Sequence, residues 1–240
     1  FLRLSKKYSC DPRFTDNLLT NAVKTNPTLE HIRQTIDASR IIVSTTASLA
    51  THTAIFSIKH FELAIIDEAS QILEPNIVGL LAAHNEGEQV IDKFILIGDH
   101  KQLPAVVQQD NNESAADSPL LEEIHLPNCA NSLFERLILT ERAAGRTDFI
   151  GTLRKQGRMH PDIAAFPNTY FYEREQLECV PLAHQTEPNL PYNEPSEDKT
   201  DDFLKAHRMV FIPSKSCRQP YISEKVNTEE ARIVADLVRR

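Results

Sequence analysis

Three short, continuous apolar runs constrain the fold of this chain more than any other feature. They lie at residues 40–48 (RIIVSTTAS), 61–70 (FELAIIDEAS) and 93–102 (KFILIGDHKQ), and each ends in small, polar or acidic side chains. The segments between them are long enough to hold a helix. Continuous apolar runs separated by crossovers are typical of parallel strands that are covered on both faces. The sequence therefore predicts an α/β fold, a parallel sheet with helices on both faces.

The ends of these runs carry the side chains that could do chemistry. In a parallel sheet, the carboxyl ends of the strands line the ligand crevice. The residues at these ends are Ser44, Thr45, Thr46, Asp67, Glu68, Gly98 and Asp99. The adjacent carboxylates of Asp67 and Glu68 allow two interpretations. They form either an ordinary solvated turn after a strand or a pair that acts on a cation and a water.

Two later segments carry local signals for helices. Ser132 is followed three residues later by Glu135, and Asn227 is followed three residues later by Glu230. A capping side chain followed at this spacing by glutamate marks the start of a helix. Residues 208–213 (RMVFIP) are predicted as a strand. A strand and a helix in this order indicate a second unit, and we expect a domain boundary near residue 147.

The acidic charge is concentrated in two stretches. The chain has a formal net charge of −8, and residues 110–123 and 184–202 each carry −5, so the remainder is slightly positive. Both stretches are rich in Asn, Ser, Pro and acidic residues, which predicts solvated loops. The acidic total therefore does not exclude a local track that binds phosphates, although it provides no support for one.

The cysteines and the hydropathy exclude several other classes of protein. Cys10, Cys129, Cys179 and Cys217 are far apart, which argues against a zinc site or a disulfide framework and favours a reducing compartment, the cytoplasm or the nucleus. No apolar stretch approaches the roughly 20 residues that cross a bilayer, so no membrane association is expected. The chain begins without methionine, and we expect it to be a segment of a longer protein.

Three motifs in order resemble those of superfamily-one helicases. After Asp67 and Glu68, Asp99 lies in GDHKQLPAVV, and Arg158 lies in LRKQGRMHPDIAAFPNTYFY. These stretches are similar to the Walker B, sensor-glutamine and arginine motifs of the 1B branch, which includes the helicase of nonsense-mediated decay. The resemblance runs from about residue 40 to the end, and SLFERL and RMHP followed by FPNTYFY are its most specific parts. The Asp-Glu-Ala-Asp and Ser-Ala-Thr motifs of the second superfamily do not occur.

The resemblance implies a RecA-like P-loop NTPase fold in two domains. Residues 40–146 would form part of the first RecA-like domain and residues 147–240 the start of the second. Residues 1–39 are expected to be a helical lead-in, either by itself or as part of an inserted stalk. The six glycines include no G-x-x-x-x-G-K-[ST] phosphate loop, so the first domain is expected to be incomplete. The last two helicase motifs are expected beyond residue 240.

The resemblance also assigns roles at the nucleotide site. ATP hydrolysis needs Mg²⁺, an oriented water and positive charge on the transferred phosphoryl group. Asp67 would hold the magnesium shell, and Glu68 would orient and deprotonate the water. Asp99 and Gln102 would contact the nucleotide, with Gln102 as the phosphate sensor. Arg158 would act as an arginine finger from the second domain. The alternative for each residue is a salt bridge or a helix cap.

Assignments for nucleic acid rest on fewer features. Ser44, Thr45 and Thr46 resemble the hydroxyl-rich motif that contacts a single-stranded nucleic-acid backbone, but hydroxyls at a strand end are equally common as turn or helix caps. His100 and Lys101 are weaker candidates still. The aromatics at 166–172 have helical spacing and are predicted to be core rather than a stacking platform. Gly157 replaces the aromatic residue that usually precedes the motif arginine, which puts base affinity in doubt.

The predicted function is that of an ATP-dependent helicase or translocase that moves along single-stranded DNA or RNA. One alternative is an ATP-dependent remodeller of nucleoprotein that does not separate strands. Another is a scaffold that keeps the fold without the ATPase, which Gly157 favours and the intact acidic, glutamine and arginine motifs oppose. Because it lacks a phosphate loop, the 240-residue chain by itself is expected to be inactive.

Overall fold

The computed structural model describes residues 1–6, 8, 10–187, 196–214 and 226–239. The chain divides into two compact units, Phe1–Ile150 and Gly151–Arg240. The division lies close to residue 147, where the sequence predicts a domain boundary. Each unit is described by itself below.

Unit 1 combines short strands with short helices. Its strands are β1 (Leu2–Leu4), β2 (Ile42–Ser44), β3 (Ala64–Ile66), β4 (His84–Asn85), β5 (Glu88–Gln89) and β6 (Phe94–Leu96). Its α-helices are α1 (Leu19–Ala22), α2 (Leu29–Ala38), α3 (Thr46–Thr51), α4 (Glu74–Leu81), α5 (Pro119–Glu123) and α6 (Leu133–Ala143). Short 3₁₀ segments lie at Pro12–Asn17, Thr53–Ser57 and Ala69–Gln71.

The three apolar runs form strands, and their pairing is parallel. β3 pairs with β6 in the register that places Ile65 beside Ile95. β2 pairs in parallel with β1, a strand that lies in the segment predicted only as a helical lead-in. Within the described residues, β1–β2 and β3–β6 are separate two-stranded pairs. The fold is therefore mixed α/β with parallel pairs, which confirms the predicted class, and a single sheet that joins the pairs stays a prediction.

Two apolar clusters form the core of unit 1. The larger cluster surrounds β1 and includes Leu2, Ile36 and Phe56, and the smaller one includes Ile66 and Ile77. The partly buried side chains of Leu80 and Phe94 pack against both clusters. The side chains of α4 and β6 thus join the two strand pairs through a shared core.

The opposite face of β3 and β6 is exposed. Ile65 is 61% exposed, Ile95 is 47% exposed, and Leu63 and Ile97 are also largely exposed. Alternate residues of a strand share a face, so these four side chains form one apolar surface. Within the described residues only the other face of this pair is packed, and helices on both faces stay a prediction.

Unit 2 contains two-residue strands and four helices among the residues described. The elements are β7 (Lys155–Gln156), α7 (Pro161–Tyr170), β8 (Glu178–Cys179), α8 (Ala183–Thr186), α9 (Lys199–Ala206) and α10 (Thr228–Arg239). β7 and β8 pair in parallel. The strand predicted at residues 208–213 is absent, since this described segment has neither strand nor helix. The segment makes no strand pairing, and Phe211 is 89% exposed.

Both predicted helix caps are confirmed. The Ser132 hydroxyl accepts a hydrogen bond from the Glu135 N–H at 3.2 Å at the start of α6. The Asn227 side-chain oxygen accepts hydrogen bonds from the Glu229 and Glu230 N–H groups at the start of α10. These side chains satisfy backbone donors that the first turn of a helix leaves unpaired.

The two acidic stretches are not simply solvated loops. Residues 110–123 end in helix α5. In the second stretch, Gln185 is only 2% exposed and lies in α8, and Lys199 begins α9. Residues 188–195 of that stretch lie outside the described part of the chain. The prediction of a solvated loop is therefore wrong at Gln185.

The remaining global predictions concern membranes and cysteines. No helix in the described part of the chain is long and apolar enough to cross a membrane. Cys10, Cys129 and Cys179 are free thiols, and Cys217 lies outside the described residues. No group of three or more His, Cys, Asp or Glu side chains within the described ranges could hold a metal ion by itself.

Candidate active site

The candidate site begins where β3 and β6 end side by side. The Ile97 N–H donates to the Ile66 carbonyl at 2.8 Å, and the Ala69 N–H donates to the Ile97 carbonyl at 2.8 Å. These bonds continue the pairing beyond the strands. The turn after β3 and the turn after β6 are thereby held next to each other.

The turn after β3 presents the two carboxylates to solvent. Asp67 and Glu68 are both exposed. One oxygen of Asp67 accepts the Glu68 N–H at 3.0 Å, and one oxygen of Glu68 accepts the Gln71 side-chain amide at 3.1 Å. No described residue donates to the second oxygen of either carboxylate. Each carboxylate is thus oriented by one bond and keeps one oxygen for a cation or a water.

Glu68 has a left-handed backbone conformation. Its φ is 52° and its ψ is 36°, immediately before the 3₁₀ turn Ala69–Gln71. A residue with a Cβ adopts this conformation at a cost in free energy, and such residues are concentrated at functional sites. This conformation makes the sharp exit of the strand at which the Glu68 side chain lies, and the same conformation occurs in turns at Glu86, His125 and Gln176.

Asp99 organises the turn after β6. Its N–H donates to the Ser70 hydroxyl at 3.2 Å, which connects this turn to the one after β3. One Asp99 carboxylate oxygen accepts the Lys101 N–H at 3.0 Å, and the other accepts the Gln102 side-chain amide at 3.1 Å. Asp99 therefore orients Gln102 directly, and the exposed Gln102 keeps its side-chain oxygen for another partner.

Gly98 is required by the close approach of the two turns. A Cβ at this position would lie 2.8 Å from the Ser70 nitrogen and 3.1 Å from its hydroxyl oxygen. Real Cβ atoms do not tolerate the shorter of these distances. Ser70 is 5% exposed, so the turn after β3 cannot move aside into open space. The structure brings Asp67, Glu68, Asp99 and Gln102 onto two hydrogen-bonded turns.

The hydroxyls after β2 have structural partners. The Ser44 hydroxyl donates to the Leu4 carbonyl at 3.1 Å. The Thr45 hydroxyl oxygen accepts the Ser48 N–H at 3.1 Å and caps α3, and Thr46 is the first residue of that helix. The helix-cap interpretation therefore applies to Thr45. Contact of these three residues with nucleic acid stays a prediction.

Arg158 lies in unit 2, two residues after β7. Its side chain is exposed, and no described residue forms an ion pair with it. Its N–H donates to the Gln156 side-chain oxygen at 2.9 Å. The salt-bridge alternative for Arg158 therefore has no support within the described residues.

The aromatic side chains of the same motif do not form a core. Phe166 is 48% exposed, Tyr170 is 69% exposed and Phe171 is 49% exposed. The Phe166 and Tyr170 rings pack against each other with centroids 4.9 Å apart. The prediction that this cluster is buried is wrong in the described part of unit 2, since the helical spacing places the rings against each other on the solvent side of α7.

Four polar residues of these turns were missed by sequence reasoning. Ser70, Gln71 and Gln156 bind groups of Asp99, Glu68 and Arg158 respectively, and Gln185 binds the Gln156 and Met159 carbonyls on either side of Arg158. Ser70 and Gln71 lie two and three residues after Glu68, so their position was a usable signal. Gln185 had no such signal because it lies in a polar stretch far from Arg158 in sequence.

Comparison with known proteins points to one group of enzymes. Two family models, each described as an AAA domain, match residues 15–110 and 129–240. The chain is 32% identical over 199 residues to the DNA replication ATP-dependent helicase/nuclease DNA2 of Gallus gallus, covering 79% of this chain and 17% of that protein.

Two further relatives are also named helicases. The chain is 32% identical over 143 residues to DNA polymerase alpha-associated DNA helicase A of Saccharomyces cerevisiae, covering 59% of this chain and 19% of that protein. It is 28% identical over 182 residues to an uncharacterised ATP-dependent helicase of Methanocaldococcus jannaschii, covering 75% of this chain and 23% of that protein. The chain thus spans less than a quarter of the length of each of these three relatives.

Proposed function

The chain belongs to the superfamily-one helicases with AAA domains, and on that basis we propose that its full-length protein is an ATP-dependent motor that moves along single-stranded nucleic acid. The observation that carries the proposal is the pair of hydrogen-bonded turns after β3 and β6. They hold two exposed carboxylates and an oriented glutamine at adjacent strand ends. A RecA-like arrangement of two P-loop NTPase domains is part of the same proposal.

The donor set of the first turn fits a magnesium ion. Mg²⁺ is usually held by one or two carboxylates together with waters and substrate phosphates, so a cluster of three protein ligands is not needed. The exposed Asp67 carboxylate, with one oxygen free of described donors, meets this requirement. When bound, the ion would neutralise charge on the terminal phosphates of ATP. We assign Asp67 to its shell.

Glu68 is the proposed general base. Its carboxylate is oriented by the Gln71 amide at one oxygen, which leaves the other to accept a proton from the attacking water. Gln102 is neutral and its amide both donates and accepts, so it can contact a phosphate or a water without repelling either. Asp99 fixes the direction of that amide. Arg158 is assigned the positive charge that stabilises the transferred phosphoryl group.

The nucleic-acid substrate is proposed to be single-stranded DNA. The relatives from chicken and yeast are named DNA helicases, which favours DNA over RNA. The hydroxyls of Ser44, Thr45 and Thr46 remain the proposed backbone contacts, because a hydroxyl that caps a helix or binds a carbonyl can still contact a phosphate. A nuclear or cytoplasmic location, without a membrane partner, completes the proposal.

The proposal is tested by ATP hydrolysis and strand separation in the full-length protein. Single-stranded DNA should stimulate hydrolysis more than RNA does, and the protein should unwind a tailed duplex in the presence of ATP and Mg²⁺. Asp67→Ala should abolish both activities, whereas Asp148→Ala, a change at an exposed aspartate, should leave both intact.

Each alternative function has its own outcome in this test. Stimulated hydrolysis with displacement of bound protein but without unwinding would identify a remodeller of nucleoprotein. ATP binding without any hydrolysis would identify a scaffold. Hydrolysis that survives Asp67→Ala would refute the site itself.

A further inference from the structure

The backbone around Arg158 is held in place by side chains. The Gln156 side-chain oxygen accepts the N–H groups of Arg158 at 2.9 Å and Met159 at 2.7 Å. The Gln156 side-chain nitrogen donates to the Met159 carbonyl at 2.9 Å. One glutamine therefore closes residues 156–159 into a tight turn with Arg158 at its exposed side.

Gln185 joins the two ends of the same turn. Its side-chain nitrogen donates to the Gln156 carbonyl at 3.0 Å and to the Met159 carbonyl at 2.8 Å. Gln185 is 2% exposed, so water does not compete for these bonds. The neighbouring His184 ring nitrogen lies 3.0 Å from the Gly157 carbonyl. Helix α8 thus directs two successive side chains at the turn that carries Arg158.

One polar atom of the Gln185 amide lowers the stability of the fold. Its side-chain oxygen is buried and has no hydrogen-bond partner among the described residues. A buried acceptor without a partner costs free energy, and an apolar side chain of similar shape would avoid this cost. Residues that break such a rule are concentrated at functional sites. The free-energy cost of the unpaired oxygen is explained if the two hydrogen bonds that the Gln185 nitrogen donates are needed to hold the turn in shape.

We propose that Gln185 is a positioning residue for Arg158, an inference that rests on the proposed role of Arg158 in ATP hydrolysis. An exposed arginine side chain has many rotamers, and an unfixed backbone would add further freedom to the guanidinium. A displacement of about 1 Å can lower a catalysed rate by roughly a hundredfold. Gln185 reduces this backbone freedom by donating to the carbonyls at both ends of the turn, in addition to the Val180 N–H at Gln156 and the Cys179 thiol at Met159.

The test compares variants of the full-length protein in DNA-stimulated ATP hydrolysis. Gln185→Met keeps the length and volume of the side chain and removes both donated bonds. It should lower kcat about tenfold and change the KM for ATP by less than about twofold, since positioning acts on the transition state. Gln185→Asn, which keeps an amide but is one methylene shorter, should give an intermediate kcat and serves if the methionine variant does not fold.

A matched control separates positioning from stability. The Asn168 side chain makes two hydrogen bonds to the Leu177 backbone in the same unit, at 2.9 and 2.8 Å, without contacting the turn. Asn168→Leu removes two hydrogen bonds outside the turn, so it should leave kcat unchanged whatever the melting temperatures of the two variants are. If Asn168→Leu and Gln185→Met lost the same fraction of kcat, the proposal would be overturned, because the loss would then come from a general effect on this unit and not from the turn.

The double variant with Arg158→Ala distinguishes failure of this inference from failure of the proposed function. If Gln185 acts through Arg158, the double variant should have the same kcat as Arg158→Ala alone. Unchanged hydrolysis in Arg158→Ala would refute the role of Arg158. Reduced hydrolysis in Arg158→Ala with unchanged kcat in Gln185→Met would refute the positioning role alone, as would fully additive losses in the double variant.

Discussion

Replacing Gly98 by alanine should separate the two turns of the candidate site. The added Cβ would lie 2.8 Å from the Ser70 nitrogen and 3.3 Å from the Ala69 nitrogen. Both are backbone atoms, so no flexible side chain can yield. The turn after β6 would have to shift away, which would strain the bond from the Ala69 N–H to the Ile97 carbonyl and the bond from the Asp99 N–H to the Ser70 hydroxyl.

The magnitude follows from the rigidity of the contact. Inserting a methyl group into a packed site costs about 1–3 kcal/mol. At about 2 kcal/mol, the melting temperature of a unit of this size should fall by roughly 4–8 °C. Because the shift also displaces Asp99, which holds the Gln102 amide at 3.1 Å, hydrolysis should fall more than ATP binding does.

Gly79 provides the matched control for this substitution. It lies inside α4 and is exposed, and a Cβ there would meet no atom within 4 Å. Alanine should stabilise this helix by about 1 kcal/mol, which corresponds to a rise of roughly 2–4 °C in melting temperature. The same chemical change should therefore have opposite effects at the two positions.

Thermal unfolding of the 240-residue chain and ATP hydrolysis by the full-length protein provide the two measurements. We expect Gly98→Ala to lower the melting temperature and kcat, and Gly79→Ala to raise the melting temperature with wild-type kcat. A Gly98→Ala variant with the stability and kcat of the wild type would refute the close packing of the turns.

Three further predictions concern other parts of the chain. Arg136 makes a bidentate ion pair with Glu74, and both side chains are 13% exposed. Arg136→Met should destabilise the chain by about 3 kcal/mol, and adding Glu74→Gln should recover part of the loss; an unchanged midpoint in urea would contradict this. The hydrogen bond from Arg146 lowers the pKa of the Glu141 carboxyl below its ordinary value. The stability that this pair contributes is therefore fully present at pH values above the ordinary pKa. It is lost as the pH falls through the lowered pKa, because the carboxyl becomes protonated. Arg146→Ala should return the pKa of Glu141 to its usual range in an NMR titration, and a pKa that stays low would exclude Arg146 as the cause. Because no phosphate loop occurs in the 240 residues, calorimetry of this chain with ATP and Mg²⁺ should show binding no tighter than the millimolar range, about −4 kcal/mol; micromolar binding would mean that another segment holds the phosphates.

Local and sequential features of this fold could be predicted from sequence. The caps at Ser132 and Asn227 are encoded within four residues, so they were predictable. The parallel pairing of β3 with β6 follows from continuous apolar runs joined by a long crossover. That pairing also predicted that the carboxylates at the end of β3 would lie near Asp99 after β6, since neighbouring parallel strands end at the same edge of a sheet.

Features that depend on distant contacts could not be predicted. The burial of Gln185 depends on two carbonyls nearly thirty residues earlier, and nothing in its own polar surroundings signals them. Phe166 and Tyr170 have the spacing of a buried stripe, but the structure packs them against each other with about half or more of each side chain exposed. Helical spacing identifies a shared face and does not determine what covers it.

The measurement that tests the central claim most directly is the separation of ATP binding from ATP hydrolysis in the Glu68→Gln variant of the full-length protein. The amide keeps the size of the carboxylate but cannot act as a base. ATP affinity should therefore stay close to that of the wild type, while DNA-stimulated turnover falls by roughly a hundredfold or more. Glu62→Gln, the same change at an exposed position before β3, should leave both quantities unchanged. Wild-type turnover in Glu68→Gln would contradict the assignment of the paired carboxylates to ATP hydrolysis.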